Sequence, residues 1–360
     1  MYVYTDKIMK YKNDNNHSTK SFRYILVGVG IMLAVAVITA VIFGQFIRMV
    51  NTLEKNSPNN FSEHYIFVVD ENESGFWEQV YKSAYNQAKE DGIYLENIRE
   101  SLTTNPSNEE LLRIAINSSA DGIIYAGNNS DKIERLINKA VDKGIGVVVL
   151  HNDIERSNRQ CYVGVSNYEL GKLDASLILK VMPEDGLADS SIAVLVNSDM
   201  SEGAANLVVL AMEEGLLEFM EEEDLPTIET IKIDAEDTFS AEESIRNLFL
   251  KDGDLYDIVV CLESSYTQCV YQAVIDYNHV GDIKIIGYFT DEDILEGIDR
   301  DIISSTISID TQMMGKSAIL AIEEYNEMGY TNSFLPVDME VVDKSVAKRM
   351  LDKSRNEQKE

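Results

Sequence analysis

Short apolar runs rich in β-branched residues alternate along the chain with amphipathic stretches of helical periodicity. Such alternation is typical of βαβ units, in which parallel strands are joined by right-handed helical crossovers. The predicted strands are YIFVV (65–69), GIIYAG (122–127), GVVVLH (146–151), YVGVS (162–166), IAVLVN (192–197), TIKID (230–234), DIVVCL (257–262), DIKIIGY (282–288) and IISSTIS (302–308). These are too many strands for one small sheet, and a break follows YVGVS. The sequence therefore predicts an α/β fold of two Rossmann-like lobes, each with a parallel sheet.

An uncharged segment precedes the predicted lobes. Residues 24–47, YILVGVGIMLAVAVITAVIFGQFI, carry no charged side chain. As a helix they would reach about 36 Å, enough to cross a hydrocarbon layer of about 30 Å. Basic residues concentrate before this segment, so the positive-inside rule predicts a cytoplasmic tail (1–23), a transmembrane helix (24–48) and a tether (49–62) to an extracytoplasmic domain. A cleaved signal peptide is the alternative, but its apolar core would be only about 7–15 residues long. The sequence favours an uncleaved, single-pass anchor in the cell membrane.

The charge balance and the cysteines exclude several classes of function. Among 360 residues, 31 are basic and 62 are acidic, and the formal net charge is −31. Nucleic-acid binding rests on clustered Lys and Arg, so a nucleic-acid partner is not expected. Cys161, Cys261 and Cys269 are too few and too scattered for a disulfide framework or a metal cluster. Motifs of nucleophilic, zinc-dependent and phosphate-binding enzymes are missing from the sequence. We expect neither catalysis nor a bound metal or cofactor.

Two large aromatic residues follow the first predicted strand. Phe76 and Trp77, the chain's only tryptophan, stand in DENESGFWEQVYKSAYNQAKEDG (70–92). Ligands of open parallel sheets bind beyond the carboxyl ends of the strands. This position therefore predicts that both rings lie on the rim of a cleft between the lobes. Packing is the alternative, because Phe76, Val80, Ala84 and Ala88 recur every four residues and would share the core face of one helix.

The order of these segments resembles that of the type I periplasmic solute-binding proteins of the ribose- and galactose-binding class. The same fold forms the effector domain of lactose-repressor-like regulators. The resemblance covers residues 63–343 and is carried by residues 70–92, DGIIYAG (121–127), GIGVVVLHND (144–153), CYVGVSNYELGK (161–172) and IIGYFTDEDILEGI (285–298). It implies two lobes that are joined by a three-stranded hinge and close on a small solute.

The resemblance also implies where the lobes begin and end. The chain would cross between the lobes near Ser166–Asn167, near Ile309–Asp310 and near Phe334. The implied divisions are a first lobe of residues 63–166 and 309–333, a second lobe of residues 167–308 and 334–343, and a polar tail at 344–360.

Members of the resembling family hold a sugar between aromatic rings and bind its hydroxyls with polar side chains. Phe76 and Trp77 match the paired aromatics of the family. His151 and Asn152 fall where sugar binders commonly carry Asp-Arg. The implied ligand contacts are Phe76, Trp77, His151, Asn152, Glu263, Phe289 and Asp310.

Several of these positions depart from the sugar-binding pattern. Glu263 falls where an Asn is usual, Phe289 replaces an Asp, and Ile309 stands where a Gln is expected. A solute that is less hydroxylated or carries a cation would suit Glu263, Asp310 and the more aromatic wall. Glu263 could instead cap the helix that follows it, since a carboxylate is favoured there by the helix dipole.

The residues and the resemblance together predict a membrane-tethered, extracytoplasmic solute-binding protein. It would deliver a sugar or sugar-like molecule to an ABC importer's permease, or report it to a sensor histidine kinase. The alternative is a degenerate solute-binding fold that acts only as a module for a protein partner, which a closed, dry cleft would favour. A transcription regulator is not expected, because a basic headpiece would have to replace the apolar segment at 24–48.

Overall fold

The computed structural model describes residues 61–69, 74–102, 106–181, 190–233, 238–250 and 255–357. The predicted cytoplasmic tail, the predicted transmembrane helix at 24–48 and nearly all of the predicted tether lie outside the described residues. Within these ranges, no helix is both long and apolar enough to cross a membrane.

The first lobe is built on one six-stranded sheet. Its strands are β1 (Glu63–Val69), β2 (Ile93–Asn97), β3 (Gly122–Ala126), β4 (Gly146–Leu150), β5 (Cys161–Gly164) and β11 (Phe334–Pro336). They lie in the order β11-β5-β4-β3-β1-β2, and all neighbours are parallel. The helices of this lobe are α1 (Ser74–Glu90), α2 (Asn108–Asn117), α3 (Asp131–Asp142) and α9 (Thr311–Met328).

The second lobe repeats this arrangement. Its strands are β6 (Ser191–Asn197), β7 (Thr227–Ile233), β8 (Ile258–Cys261), β9 (Lys284–Tyr288), β10 (Ser305–Ile309) and β12 (Met339–Val342). Its helices are α4 (Asn167–Val181), α5 (Glu202–Leu216), α6 (Thr238–Leu250), α7 (Ser264–Asp276), α8 (Glu292–Asp299) and α10 (Lys344–Glu357). The strand order β12-β10-β9-β8-β6-β7 matches that of the first sheet, except that β12 runs antiparallel to β10. The predicted fold of two α/β lobes with parallel sheets is confirmed.

The chain passes between the lobes three times, after β5, after β10 and after β11. The third passage lies at residues 337–338, three residues beyond Phe334, because Phe334 to Pro336 first pair with β5 in the first sheet. Phe334 also stacks on Tyr162 of β5, with ring centroids 5.4 Å apart. Residues 344–357, predicted as part of a polar tail, form helix α10 instead. Buried Ala347 and Leu351 hold this helix against the second lobe.

Central strands are buried on both faces, which explains their unbroken apolar sequences. In β1, Ile66 and Val68 pack in one cluster with the apolar residues of α2 and α3. Tyr65 and Phe67, which alternate with them, pack in another cluster with α1 and α9. The period-two alternation of the strand therefore sends successive side chains to helix layers on opposite faces of the sheet.

Helices α4 and α5 pack closely beside the junction of the lobes. A Cβ atom on Gly171 of α4 would lie 2.2 Å from the carbonyl oxygen of Val208 in α5, so only glycine permits this approach. Ser201 directly precedes helix α5 and caps it, because its hydroxyl accepts a hydrogen bond from the Ala204 amide at 3.1 Å. This N-cap fixes the start of α5 at the junction.

Candidate functional site

Residues that follow the strands of both sheets meet at the junction of the lobes and enclose a cavity of about 90 Å³. Ligand pockets usually measure about 300–1,000 Å³, so the lobes are closely apposed here. From the first lobe the cavity is lined by His151, Asn152, Asp153, Glu155 and Tyr162. From the second lobe it is lined by Asn197, Asp199, Met200, Leu262, Glu263 and Tyr288. Both sheets thus contribute through the carboxyl ends of their strands, as expected for this architecture.

Five rings form a cluster beside this cavity, which we call the aromatic cluster: Phe76, Trp77, His151, Tyr288 and Phe289. Phe76 of the first lobe stacks on Phe289 of the second, with centroids 4.1 Å apart and planes at 17°. Trp77 meets Phe76 edge-on at 5.0 Å. The His151 ring lies 5.3 Å from Phe289 and 6.1 Å from both Tyr288 and Trp77. The aromatic cluster is therefore a direct contact between the two lobes.

A polar pair crosses the same junction. The Nε2 atom of His151 lies 3.3 Å from a carboxylate oxygen of Glu263, and both side chains are buried. Glu263 occupies the N-cap position of α7 but makes no capping hydrogen bond with its side chain. The structure therefore does not show the capping role considered for Glu263; its carboxylate meets His151 across the cleft instead, and its contact with a ligand stays a prediction.

Both His151 and Phe289 have a backbone conformation that side-chain-bearing residues rarely adopt. Their φ angles are +64° and +66°, in the left-handed region. Each residue directly follows a strand, β4 or β9. Non-glycine residues in this region cost about 1–2 kcal/mol, and such strain is concentrated at functional sites. The two turns send both rings into the junction.

The charged groups around the cavity differ in how they are compensated. The Asp153 carboxylate accepts two hydrogen bonds from the Arg159 guanidinium. Glu155 accepts a 3.1 Å hydrogen bond from the hydroxyl of Ser201, which joins the lobes at a second polar contact. Burial raises the pKa of Tyr162, so its hydroxyl stays protonated and donates to the carbonyl oxygen of His151 at 2.7 Å. Among the described residues, no group of His, Cys, Asp and Glu is arranged to hold a metal ion.

The structure brings six of the seven predicted contact residues to the junction. His151, Asn152 and Glu263 line the cavity, and Phe76, Trp77 and Phe289 lie beside it in the aromatic cluster. Phe76 and Trp77 lie at the junction of the lobes but are buried there rather than placed on its rim, since they are only 7% and 6% exposed. Phe76 also lies in the core with Val80, Ala84 and Ala88, so its packing and cleft roles coincide.

Asp310 lies outside the cavity and is exposed. Its carboxylate accepts a hydrogen bond from the Met313 amide at 2.8 Å and so caps helix α9. A residue between a strand and the following helix can cap that helix. The sequence pattern does not distinguish such a cap from a ligand contact.

Several lining residues were missed from the sequence. Asn167 follows β5 and Asn197 ends β6, and the carboxyl-end rule would have singled out both. Tyr288 ends an apolar strand, which predicts a core residue; it is buried and also lines the cavity. Asp199 lies two residues beyond its strand in a turn, where the sequence gives no signal for the direction of the side chain.

A family model described as a periplasmic binding protein domain matches residues 65–327. GanP, a glucose-galactose binding protein from Geobacillus stearothermophilus, superposes with a TM-score of 0.63 at 23% identity, over 79% of this chain and 98% of its own. A complex of XylFII with LytSN gives a TM-score of 0.61 at 23% identity, over 79% of this chain and 98% of that chain. A carbohydrate transporter from Acidothermus cellulolyticus in complex with myo-inositol gives 0.60 at 18%, over 82% and 98%. A comparison with curated proteins found no match.

These structural similarities lie below 25% identity and establish a shared fold. The family match extends from β1 to α9 and so includes five of the six strands of each sheet and the residues that meet between them. It covers well over half of the sequence, and the chain therefore belongs to the periplasmic binding protein domain family.

Proposed function

We propose that this protein binds a small sugar-like solute between its lobes and does no chemistry on it. One observation carries the proposal: side chains from both lobes meet at the carboxyl ends of the two sheets, as the Phe76–Phe289 stack and the His151–Glu263 pair. A solute held there would contact both lobes at once, so its binding would be coupled to the angle between them. Solved neighbours of the same fold include a glucose-galactose binding protein and a protein in complex with myo-inositol.

The site residues in this proposal are those that the cleft brings together. Asn152 and the cavity-facing amides Asn167 and Asn197 would bind hydroxyl groups, since each amide both donates and accepts hydrogen bonds. Phe76 and Phe289 are too close for a sugar ring to lie between them, because two van der Waals contacts need roughly 7–8 Å. A solute of hexose size would therefore separate these rings as it enters, and they would cover its apolar faces.

Location and downstream partner belong to the same proposal. The uncharged segment at 24–47 supports a single-pass anchor with the two lobes outside the cell membrane. From there the protein would deliver its solute to an ABC permease or report it to a sensor histidine kinase. The solved complex of XylFII with LytSN supports the view that this fold can form stable assemblies with other proteins.

A second function is favoured by the tightness of the junction. The Phe76 and Phe289 rings pack on each other at 4.1 Å, and the cavity beside them is small. Such an arrangement also suits a lobe pair that stays shut and serves only as a docking module for a protein partner. The two functions differ in whether the junction opens for a small molecule.

The position of the only tryptophan provides the test. Trp77 touches the junction through Phe76 and His151, so its fluorescence should change when the lobes move. The purified full chain is titrated with glucose, galactose, arabinose, xylose and myo-inositol, and thermal unfolding is measured in parallel. A binding solute should change Trp77 fluorescence and raise the stability by about 2.7 kcal/mol at a hundredfold excess over its Kd.

Two variants separate the cleft from the rest of the surface. Phe289→Ala removes the second-lobe ring and should weaken solute binding. Phe249→Ala, the control, removes a ring of the second lobe that stacks on Tyr277 away from the cleft, and should leave binding unchanged. If none of these neutral solutes alters either signal at millimolar concentration, binding of a neutral sugar is refuted and the docking function gains support.

A further inference from the structure

The Glu263 carboxylate has little compensation for its burial. Glu263 is 5% exposed and lines the cavity. Its only hydrogen-bond partner in the described cleft is the His151 imidazole, at 3.3 Å. Charge-assisted hydrogen bonds between nitrogen and carboxylate usually measure about 2.7–2.9 Å, and a buried carboxylate is costly unless it is well paired. The wall of the cavity thus holds a carboxylate that a stronger cation would stabilise.

No Lys or Arg in the described part of the chain pairs with Glu263. Among the described residues that line the cavity there is no Lys or Arg, whereas four carboxylates line it: Asp153, Glu155, Asp199 and Glu263. The two guanidinium groups nearest in sequence to these carboxylates are already paired: Arg156 with the Asp131 and Glu134 carboxylates, and Arg159 with the Asp153 carboxylate and the Ser333 carbonyl oxygen. A cavity lined by four carboxylates, with no Lys or Arg among its described lining residues, favours a positively charged occupant.

Aromatic side chains add a second attraction of the same sign. Tyr288 lines the cavity, and the His151 and Phe289 rings pack against it. Tyr162 also lines the cavity, but its ring already contacts the Arg159 guanidinium and the Phe334 ring. The faces of aromatic rings attract cations, most strongly where water is excluded. A carboxylate and an aromatic side chain in the lining of one cavity can together recognise an ammonium group.

We propose that the solute carries a protonated amine or a quaternary ammonium group that pairs with Glu263. This inference rests on the proposed function, because it names the class of solute that enters the same cleft. An amino sugar or another small hydroxylated amine meets both requirements: its ammonium group lies against Glu263 and its hydroxyls reach the cavity-facing amides Asn152, Asn167 and Asn197.

Matched ligands test the charge without altering the protein. The full chain is titrated by calorimetry with glucosamine, N-acetylglucosamine and glucose, which share a ring and differ in a single group. One charge-assisted hydrogen bond corresponds to about a 10- to 100-fold difference in Kd. Glucosamine should therefore bind at least about tenfold more tightly than the two neutral sugars, and the advantage should shrink as salt is added.

A variant pair then locates the charge. Glu263→Gln keeps the shape of the side chain and should abolish the preference for the amine. Glu243→Gln, which removes an exposed carboxylate on α6 outside the cavity, should leave it unchanged. If the neutral sugars bind as tightly as glucosamine, the solute-binding function stands and the cationic class is overturned. If none of the three binds and the solutes of the previous section are also silent, both proposals fail together.

Discussion

The stack between Phe76 and Phe289 gives the most direct test of the closed junction. These rings come from different lobes and are separated by more than two hundred residues in the sequence, yet their centroids lie 4.1 Å apart with planes at 17°. Phe76 and Phe289 are 7% and 1% exposed, so the pair is almost free of water. Replacing either ring by leucine keeps an apolar side chain and removes the aromatic interaction.

The size of the effect follows from this geometry. Each single substitution should destabilise the protein by about 0.5–3 kcal/mol, depending on how well the cluster repacks. An aromatic pair contributes about 0.5–1.5 kcal/mol beyond its buried area. The double variant Phe76→Leu with Phe289→Leu should therefore be less destabilised than the sum of the single variants by about 1 kcal/mol, roughly a factor of five in an equilibrium constant.

Urea unfolding of the four proteins measures this coupling, with Trp77 fluorescence and circular dichroism recorded together. Coincident curves establish that the lobes unfold in one transition, which the cycle requires. A control cycle combines Phe76→Leu with Phe249→Leu, since the Phe249 ring stacks on Tyr277 and not on Phe76. The losses of stability caused by these two substitutions should add. Additivity within about 0.3–0.5 kcal/mol in the Phe76–Phe289 cycle as well would mean that these rings do not touch in solution, and the closed junction would be refuted.

Three further substitutions test other parts of the structure. Trp77→Ala should lower the free energy of unfolding by about 3 kcal/mol, because the ring is buried; a loss below about 1 kcal/mol would contradict its packing. Burial raises the pKa of Asp174, whose Oδ2 atom has no hydrogen-bond partner. The folded state therefore favours the protonated form of this carboxyl, so the protein is most stable below the unfolded pKa of Asp174 and loses stability as the pH rises. Asp174→Asn should stabilise the protein by about 1–3 kcal/mol at neutral pH and change its stability little near pH 4. Burial and the nearby Asp91 carboxylate raise the pKa of Glu323 to about 7. Thermal stability should fall as pH rises from about 5 through 7, and Glu323→Gln should flatten this part of the profile.

Most of the fold follows from the sequence because two-sided burial leaves a strong signal. Every predicted strand is present, and all of them except the edge strand β7 lie inside their sheets, where a parallel strand is apolar along its whole length. Strand β2, IYLEN, was missed because it lies at the sheet edge, where only Ile93 and Leu95 are fully buried. The three-residue β11 and the polar helix α10 were missed for a related reason: few of their side chains enter the core.

The site was predictable in its members and unpredictable in its arrangement. Position after a strand, together with the family resemblance, identified His151, Glu263 and Phe289. His151 and Glu263 are 112 residues apart in the sequence. Their contact depends on the angle between the lobes, and the local sequence does not determine that angle. The same limit applies to Asp310, whose position after a strand equally suits a helix cap and a ligand contact.

The left-handed turns at His151 and Phe289 show how the two lobes are matched. Because the sheets share one strand order, β4 and β9 are equivalent strands, and each is followed directly by a residue with φ near +65°. Each turn costs its own lobe about 1–2 kcal/mol, whereas the rings they direct inward lie 5.3 Å apart across the cleft. The unfavourable backbone conformation thus lies within each lobe, whereas the favourable ring packing forms only when the two lobes meet. Closure therefore offsets strain that each lobe alone would retain, which makes these two turns the part of the backbone most specialised for the meeting of the lobes.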